Sequence, residues 1–171
     1  MAVKRIRKIG DPVLREKSKI VENIDRALLA LVEDMIDTVS DENISGVGLA
    51  APQIGVLKRV IIVNLGDKFE SYINPEIEII GKKTSTEDEG CLSIYSVKSE
   101  VKRPAKILFK AKNLKNQDVQ IEAEGIAARI FLHEVDHLDG ILFIDKASDI
   151  IEVLPQNNAT EMFFSSSDVR Y

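Results

Sequence analysis

Apolar residues first fall into a helical rhythm at Ile24, Leu28, Leu29, Val32, Met35, Ile36 and Val39, spaced mostly three and four apart. That spacing predicts an amphipathic packing helix over 25–40, with Asp25 as its cap. Upstream, Asp11-Pro12 predicts a short turn capped by Asp11, with Pro12 at its first position. Between 58 and 122 the rhythm shortens into β-branched runs at 60–63, 71–73, 77–80, 106–109 and 119–121, broken by turn residues. The connections are too short for helical crossovers, so the strands should pair mostly antiparallel. A helical period returns after Gly125 through Ile126, Ile130, Leu132 or His133, and His137, and Gly140 stops it. Strands set between two segregated helices make the chain α+β. From Pro155 onward the residues are polar and without sustained period, apart from Met162-Phe163-Phe164. The expectation is one domain over 1–154 and a loosely attached polar tail over 155–171.

Composition narrows the class. A chain of 171 residues is long enough to bury a sizeable core in a single domain. Its net charge of −5 leaves no footprint for nucleic acid, local pairs such as Lys102-Arg103 notwithstanding. The basic start, Lys4-Arg5-Ile6-Arg7-Lys8, has no apolar run behind it before Asp11-Pro12, unlike a secretory signal. No stretch approaches the roughly 18 apolar residues of a membrane span. A cytoplasmic location is the expectation. The lone cysteine, Cys91, cannot form an intrachain disulfide and is either a small buried hydrophobe or a functional thiol.

The chemistry concentrates in His133-Glu134-Val135-Asp136-His137 on the predicted second helix. Positions i and i+4 stack on one helix face, so both imidazoles can reach one ion, with the Glu134 carboxylate beside them. A random H-E-x-x-H is expected in on the order of 1% of such chains or fewer, which makes the motif specific but not decisive. The bland alternative is a surface helix carrying two solvated histidines. A catalytic site needs a third protein ligand. One metalloprotease pattern places it at 143, where Phe143 stands; another places a glutamate on a later helix, but Pro155 and Asn157-Asn158 interrupt the chain near Glu152 and Glu161. A closed structural site would need a carboxylate, because the chain has no second Cys and no third His. Cys91, in Glu89-Gly90-Cys91-Leu92-Ser93 after the charged stretch 84–89, can supply a thiolate ligand. The small-residue segment Gly46-Val47-Gly48-Leu49-Ala50-Ala51-Pro52-Gln53-Ile54-Gly55 permits close backbone approach, either by another strand or by an extended peptide.

Together, in this order, the segments Gly46-Val47-Gly48-Leu49-Ala50-Ala51-Pro52-Gln53, Glu89-Gly90-Cys91-Leu92-Ser93 and His133-Glu134-Val135-Asp136-His137 resemble the three motifs of the peptide deformylases. The resemblance covers roughly residues 6 to 145. It implies antiparallel sheets packed around a central C-terminal helix that carries the histidines. It also implies hydrolysis of the N-formyl group from the N-terminal methionine of new polypeptides, releasing formate. Carried onto matching positions, Cys91, His133 and His137 become metal ligands and Glu134 the general base and acid. Gln53 and the Leu92 N–H become donors to the carbonyl oxygen, and Val47, Gly48 and Glu89 substrate contacts. Asp136 and Arg103 become a supporting pair around the ligands. The implied cofactor is one divalent ion, Fe²⁺ in the cell, with Zn²⁺, Ni²⁺ or Co²⁺ able to replace it in a purified sample. The implied partners are N-formylmethionyl nascent peptides, met near the ribosome but without a basic docking tail, and neither nucleic acid nor membrane. Two departures stand out: Tyr95-Ser96 replaces a Pro-Gly pair found in many members, and Leu132 replaces the glutamine that commonly precedes the first metal histidine.

Overall fold

In the computed structural model, which describes residues 2–44, 46–147 and 152–153, Asp25 caps helix α1 (Arg26–Val39) by accepting a 2.8 Å hydrogen bond from the Leu28 N–H. Asp11 likewise accepts from Val13 N at the head of a 3₁₀ turn, Pro12–Arg15. The polar tail expected over 155–171 lies outside the described residues. Among those described there are eight strands: β1 (Gly48–Ala50), β2 (Val60–Asn64), β3 (Phe69–Ile79), β4 (Thr84–Cys91), β5 (Ile94–Pro104), β6 (Lys106–Lys112), β7 (Asp118–Glu124) and β8 (Glu152–Val153). Helix α2 (Ile126–Leu138) follows β7. The strands form a five-stranded sheet, β1-β2-β3-β6-β7, and a three-stranded sheet, β4-β5-β8, with antiparallel pairing between all strand neighbours. The fold is α+β.

Strand β2 shows why the larger sheet sits between the helices. Side chains alternate across a strand, and both faces of this one are covered. Val60 and Ile62 join Leu28, Val32 and Met35 of α1 in one cluster; Ile61 and Val63 join Ile130 and Phe131 of α2 in another. Burial on both faces explains the unbroken apolar run at 60–63. Phe131 anchors the second layer, stacked 4.0 Å from Phe109 with Tyr72 edge-on to both rings. Among the described residues no helix is long and apolar enough to cross a membrane.

Two features differ from the sequence pattern. The runs at 71–73 and 77–80 belong to one long strand, β3, because the chain crosses Asn74-Pro75 through a register shift between Ile73 and Glu76, with Asn74 at φ 50°. Asn74 also accepts from Val21 N and donates to Val21 O, at 2.9 and 2.8 Å, which ties the N-terminal segment to the bulge. The β4–β5 hairpin was not expected at all. Its buried inward positions include Glu89, Ser99 and Arg103, so the alternation is present but does not register as hydrophobic.

Candidate metal centre and its surroundings

Helix α2 sets its histidines one turn apart, and their rings meet edge-on with centroids 5.0 Å apart. Cys91 comes from the end of β4, where the hairpin turns through Leu92 and Ser93. Its Sγ lies 3.2 Å from His137 Nε2, and the candidate ligand atoms of Cys91, His133 and His137 all fall within 4.8 Å of one another. Typical ion–ligand lengths in a tetrahedral site put sulfur and nitrogen about 3.5 Å apart, so the donor set fits a single ion. Burial pushes the Cys91 thiol up, but the imidazoles of His137 and His133 outweigh it and hold the thiol well below its ordinary range. A thiolate and two imidazoles suit a divalent transition metal.

The tautomer of His133 is set from behind. Its Nδ1 lies 3.0 Å from Glu89 Oε2, which leaves Nε2 for the ion. Glu89 is itself buried. Arg103 donates to it through Nε and NH2, both at 2.8 Å, and Arg129 donates through NH1 at 2.7 Å. Burial raises the Glu89 carboxyl, yet the hydrogen bonds from Arg103 and His133 prevail and keep it well below the usual carboxylate range. The same Arg103 pairs with Asp136, which also holds Lys146 at 2.7 Å. Glu89, expected among the substrate contacts, thus commits its carboxylate to Arg103, Arg129 and His133, beneath helix α2.

Arg129 went unremarked in the sequence, although it stands four residues before His133 on one face of α2. It crosses to the hairpin, donating also to Val101 O at 2.8 Å and Ser85 Oγ at 3.1 Å. Removing one partner from a buried ion pair typically costs about 3–5 kcal/mol. Arg129→Met should therefore lower unfolding stability by about 3 kcal/mol in urea titrations, the low end because Arg103 still serves Glu89. The Glu89 carboxyl is depressed, so its stabilisation is complete above its ordinary value of 4.5 and declines as pH falls below it.

Glu134 points the other way, into a cleft lined by Val47, Gly48, Gln53, Leu92, Ile130, Cys91 and His133. Burial pushes its carboxyl up to about 7, against the pull of His133 and His137. Among the described residues its Oε2 has no hydrogen-bond partner, nor has His137 Nδ1. A buried carboxylate oxygen left without a partner is costly unless something else meets it, such as a water or a substrate. Gly48 makes the room: a Cβ there would stand 2.5 Å from Glu134 Oε1 and 2.9 Å from its Cδ. Gly48→Ala should leave the fold within about 1 kcal/mol but displace the carboxylate, lowering kcat on the order of 10²-fold. Steady-state kinetics beside a thermal melt would separate the two effects.

Strand β1 ends the larger sheet. Asn64 N donates to Val47 O at 2.8 Å, and the antiparallel register pairs Gly48 with Val63. Alternation along the strand then turns the Gly48 N–H and C=O toward the open edge, while the Val47 carbonyl is taken up by β2. Gln53, in the 3₁₀ turn after β1, accepts from Ala50 N at 2.8 Å and directs Nε2 to Ser93 Oγ at 3.2 Å and Cys91 Sγ at 3.5 Å. The edge strand, the cysteine turn and helix α2 therefore meet at one cleft.

The family model described as polypeptide deformylase matches residues 3–152. The chain is 49% identical over 150 residues to peptide deformylase 1 of Clostridium acetobutylicum, covering 87% of this chain and 97% of that one. It is 47% identical over 146 residues to the peptide deformylase of Caldicellulosiruptor bescii, covering 85% and 86% respectively. The crystal structure of the peptide deformylase from Thermotoga maritima superimposes with a TM-score of 0.82 at 42% identity, covering 87% of this chain and all of that one. That of a Synechococcus elongatus peptide deformylase in complex with actinonin gives 0.79 at 35% identity, over 84% and 78%.

Proposed function

The chain belongs to the polypeptide deformylase family of metal-dependent hydrolases, and on that footing we propose that it removes the N-formyl group from the N-terminal methionine of newly made polypeptides. The observation that carries the reading is the convergence of Cys91, His133 and His137 on one point, with the Glu134 carboxylate buried beside them against Gly48. The three side chains would hold one divalent ion, Fe²⁺ in the cell. When bound, such an ion supplies Lewis acidity, bringing water close to deprotonation at neutral pH and polarising a carbonyl oxygen.

The protein's own groups do the rest. Glu134 takes a proton from the attacking water as its oxygen bonds to the formyl carbon. The carboxyl, raised toward neutrality by burial, is suited both to accept that proton and to release it. Gln53 Nε2 and the Leu92 N–H donate to the carbonyl oxygen as charge develops there, each such donor typically worth about 3 kcal/mol of barrier. Glu134 then gives its proton to the amide nitrogen, the carbon–nitrogen bond breaks, and formate and a free amine leave. The open edge of β1 suits an extended peptide added as a further strand, with the Gly48 backbone as its partner. Arg103 and Asp136 brace the metal helix, and Glu89 fixes the His133 ring.

Formate released from formyl-Met-Ala-Ser by anaerobically iron-loaded protein tests the reading. Turnover is expected. Stoichiometric metal without turnover on this or longer formylated peptides would overturn it.

A further inference from the structure

The segment before the first 3₁₀ turn runs across both loops that bear on Cys91. Arg7 N donates to Gln53 O at 2.7 Å and Ile9 N donates to Ser93 O at 2.9 Å. Between them, Lys8 reaches in and its Nζ donates to Leu92 O at 2.7 Å. That oxygen and the Ser93 N–H are the two ends of one peptide unit, and the chain has no cis bonds among the described residues. In a trans peptide the C=O and N–H point in opposite directions. Here the N–H end donates to Cys91 Sγ at 3.4 Å.

We propose that Lys8 is a positioning residue for the Cys91 sulfur, acting through the Leu92–Ser93 peptide. The ammonium holds the carbonyl end of that plane, so the N–H end stays aimed at the sulfur. A cation on the oxygen also polarises the peptide and strengthens the hydrogen bond its N–H makes. The ammonium is itself held from outside by the Tyr95 ring, whose centroid lies 3.3 Å from Nζ. Tyr95 is 58% exposed, a large ring left at the surface on the hairpin tip that Lys8 spans. Ser93 ties the arrangement to Gln53 through its Oγ, so a rotation of this one peptide would disturb both the sulfur and the amide across the cleft. Lys8 touches no reacting atom; its effect passes entirely through the peptide plane.

The inference rests on Cys91 being a metal ligand, and the test reads the peptide plane with and without metal. In metal-free protein, Lys8→Met should move the Ser93 amide proton resonance upfield, while Lys8→Arg, which keeps a cationic donor, should largely retain it. In Co²⁺-loaded protein, Lys8→Met should shift the sulfur-to-cobalt charge-transfer band and raise the Co²⁺ dissociation constant about tenfold, the lower end for groups that orient a ligand. The kcat should fall with KM unchanged, and Tyr95→Leu should reproduce part of each effect. A Ser93 resonance unmoved in folded Lys8→Met overturns the proposal, whatever the metal does. If the parent protein lacks the charge-transfer band, the ligand assignment of Cys91 fails, and the Ser93 resonance still decides the role of Lys8.

Discussion

Replacing Glu134 by glutamine is expected to leave the metal bound and reduce kcat on the order of 10³- to 10⁴-fold, the upper range for loss of a positioned acid–base group. The side chain keeps its shape, so the close contact with Gly48 survives and little strain enters the cleft. Only the ability to accept and return a proton is lost. The carboxyl is suited to both tasks because burial pushes it up to about 7 while the neighbouring imidazoles pull it down. Among the described residues its Oε2 faces no partner, unlike the carboxylates of Glu89 and Asp136. Metal content by elemental analysis, set beside steady-state formate release, checks the prediction. Equal loss of metal and turnover would make Glu134 a ligand instead.

Cys91→Ala is expected to act in the opposite way, on the ion first. Binding energies of about 10–16 kcal/mol for closed four-ligand zinc sites put one donor at roughly 3 kcal/mol, so the dissociation constant should rise at least on the order of 10²-fold. The loss is larger than for a neutral donor because the thiolate is the only anion in the proposed ligand set. Its charge is favoured by His137 and His133 despite complete burial. Competition against a chromogenic chelator measures the change directly. The fold should survive, since Cys91 is a small member of a cluster that includes Leu14, Val101 and Phe143.

These two predictions rest on features that were legible in the sequence to different degrees. The spacing of His133 and His137 is a local property of one helix, and the rhythm from Leu28 to Val39 follows from a single buried face, so periodicity sufficed for both. Cys91 entered by a different route. No local pattern links it to the histidines; the failure of the alternatives at Phe143 and beyond Pro155, and then the order of the three motifs, pointed there before folding brought its sulfur 3.2 Å from His137. The β4–β5 hairpin was invisible because Glu89, Ser99 and Arg103 share its buried positions with Cys91, Ile94 and Val101, which breaks the hydrophobic alternation. Glu89 and Arg103 look like surface residues until Arg129 and His133 are seen to meet them. Glu89 illustrates the limit most clearly: its place in the cysteine motif suggested the substrate, whereas its carboxylate faces two guanidinium groups and an imidazole. Tyr95, noted first as a departure from the family pattern, acquires a role only with Lys8 over its ring. Long-range polar contacts of this kind carry no periodic signature.

The central claim is that an ion held by Cys91, His133 and His137, with Glu134 beside it, hydrolyses a formamide. The most direct measurement is formate released per bound ion from a formyl-methionyl peptide, followed as metal-free protein is titrated anaerobically with Fe²⁺. The account predicts no release without metal, a rise that saturates at one ion per chain, and its near-abolition in Glu134→Gln at the same metal content. Saturation with iron and no formate, or equal release from the Glu134→Gln protein, would contradict it.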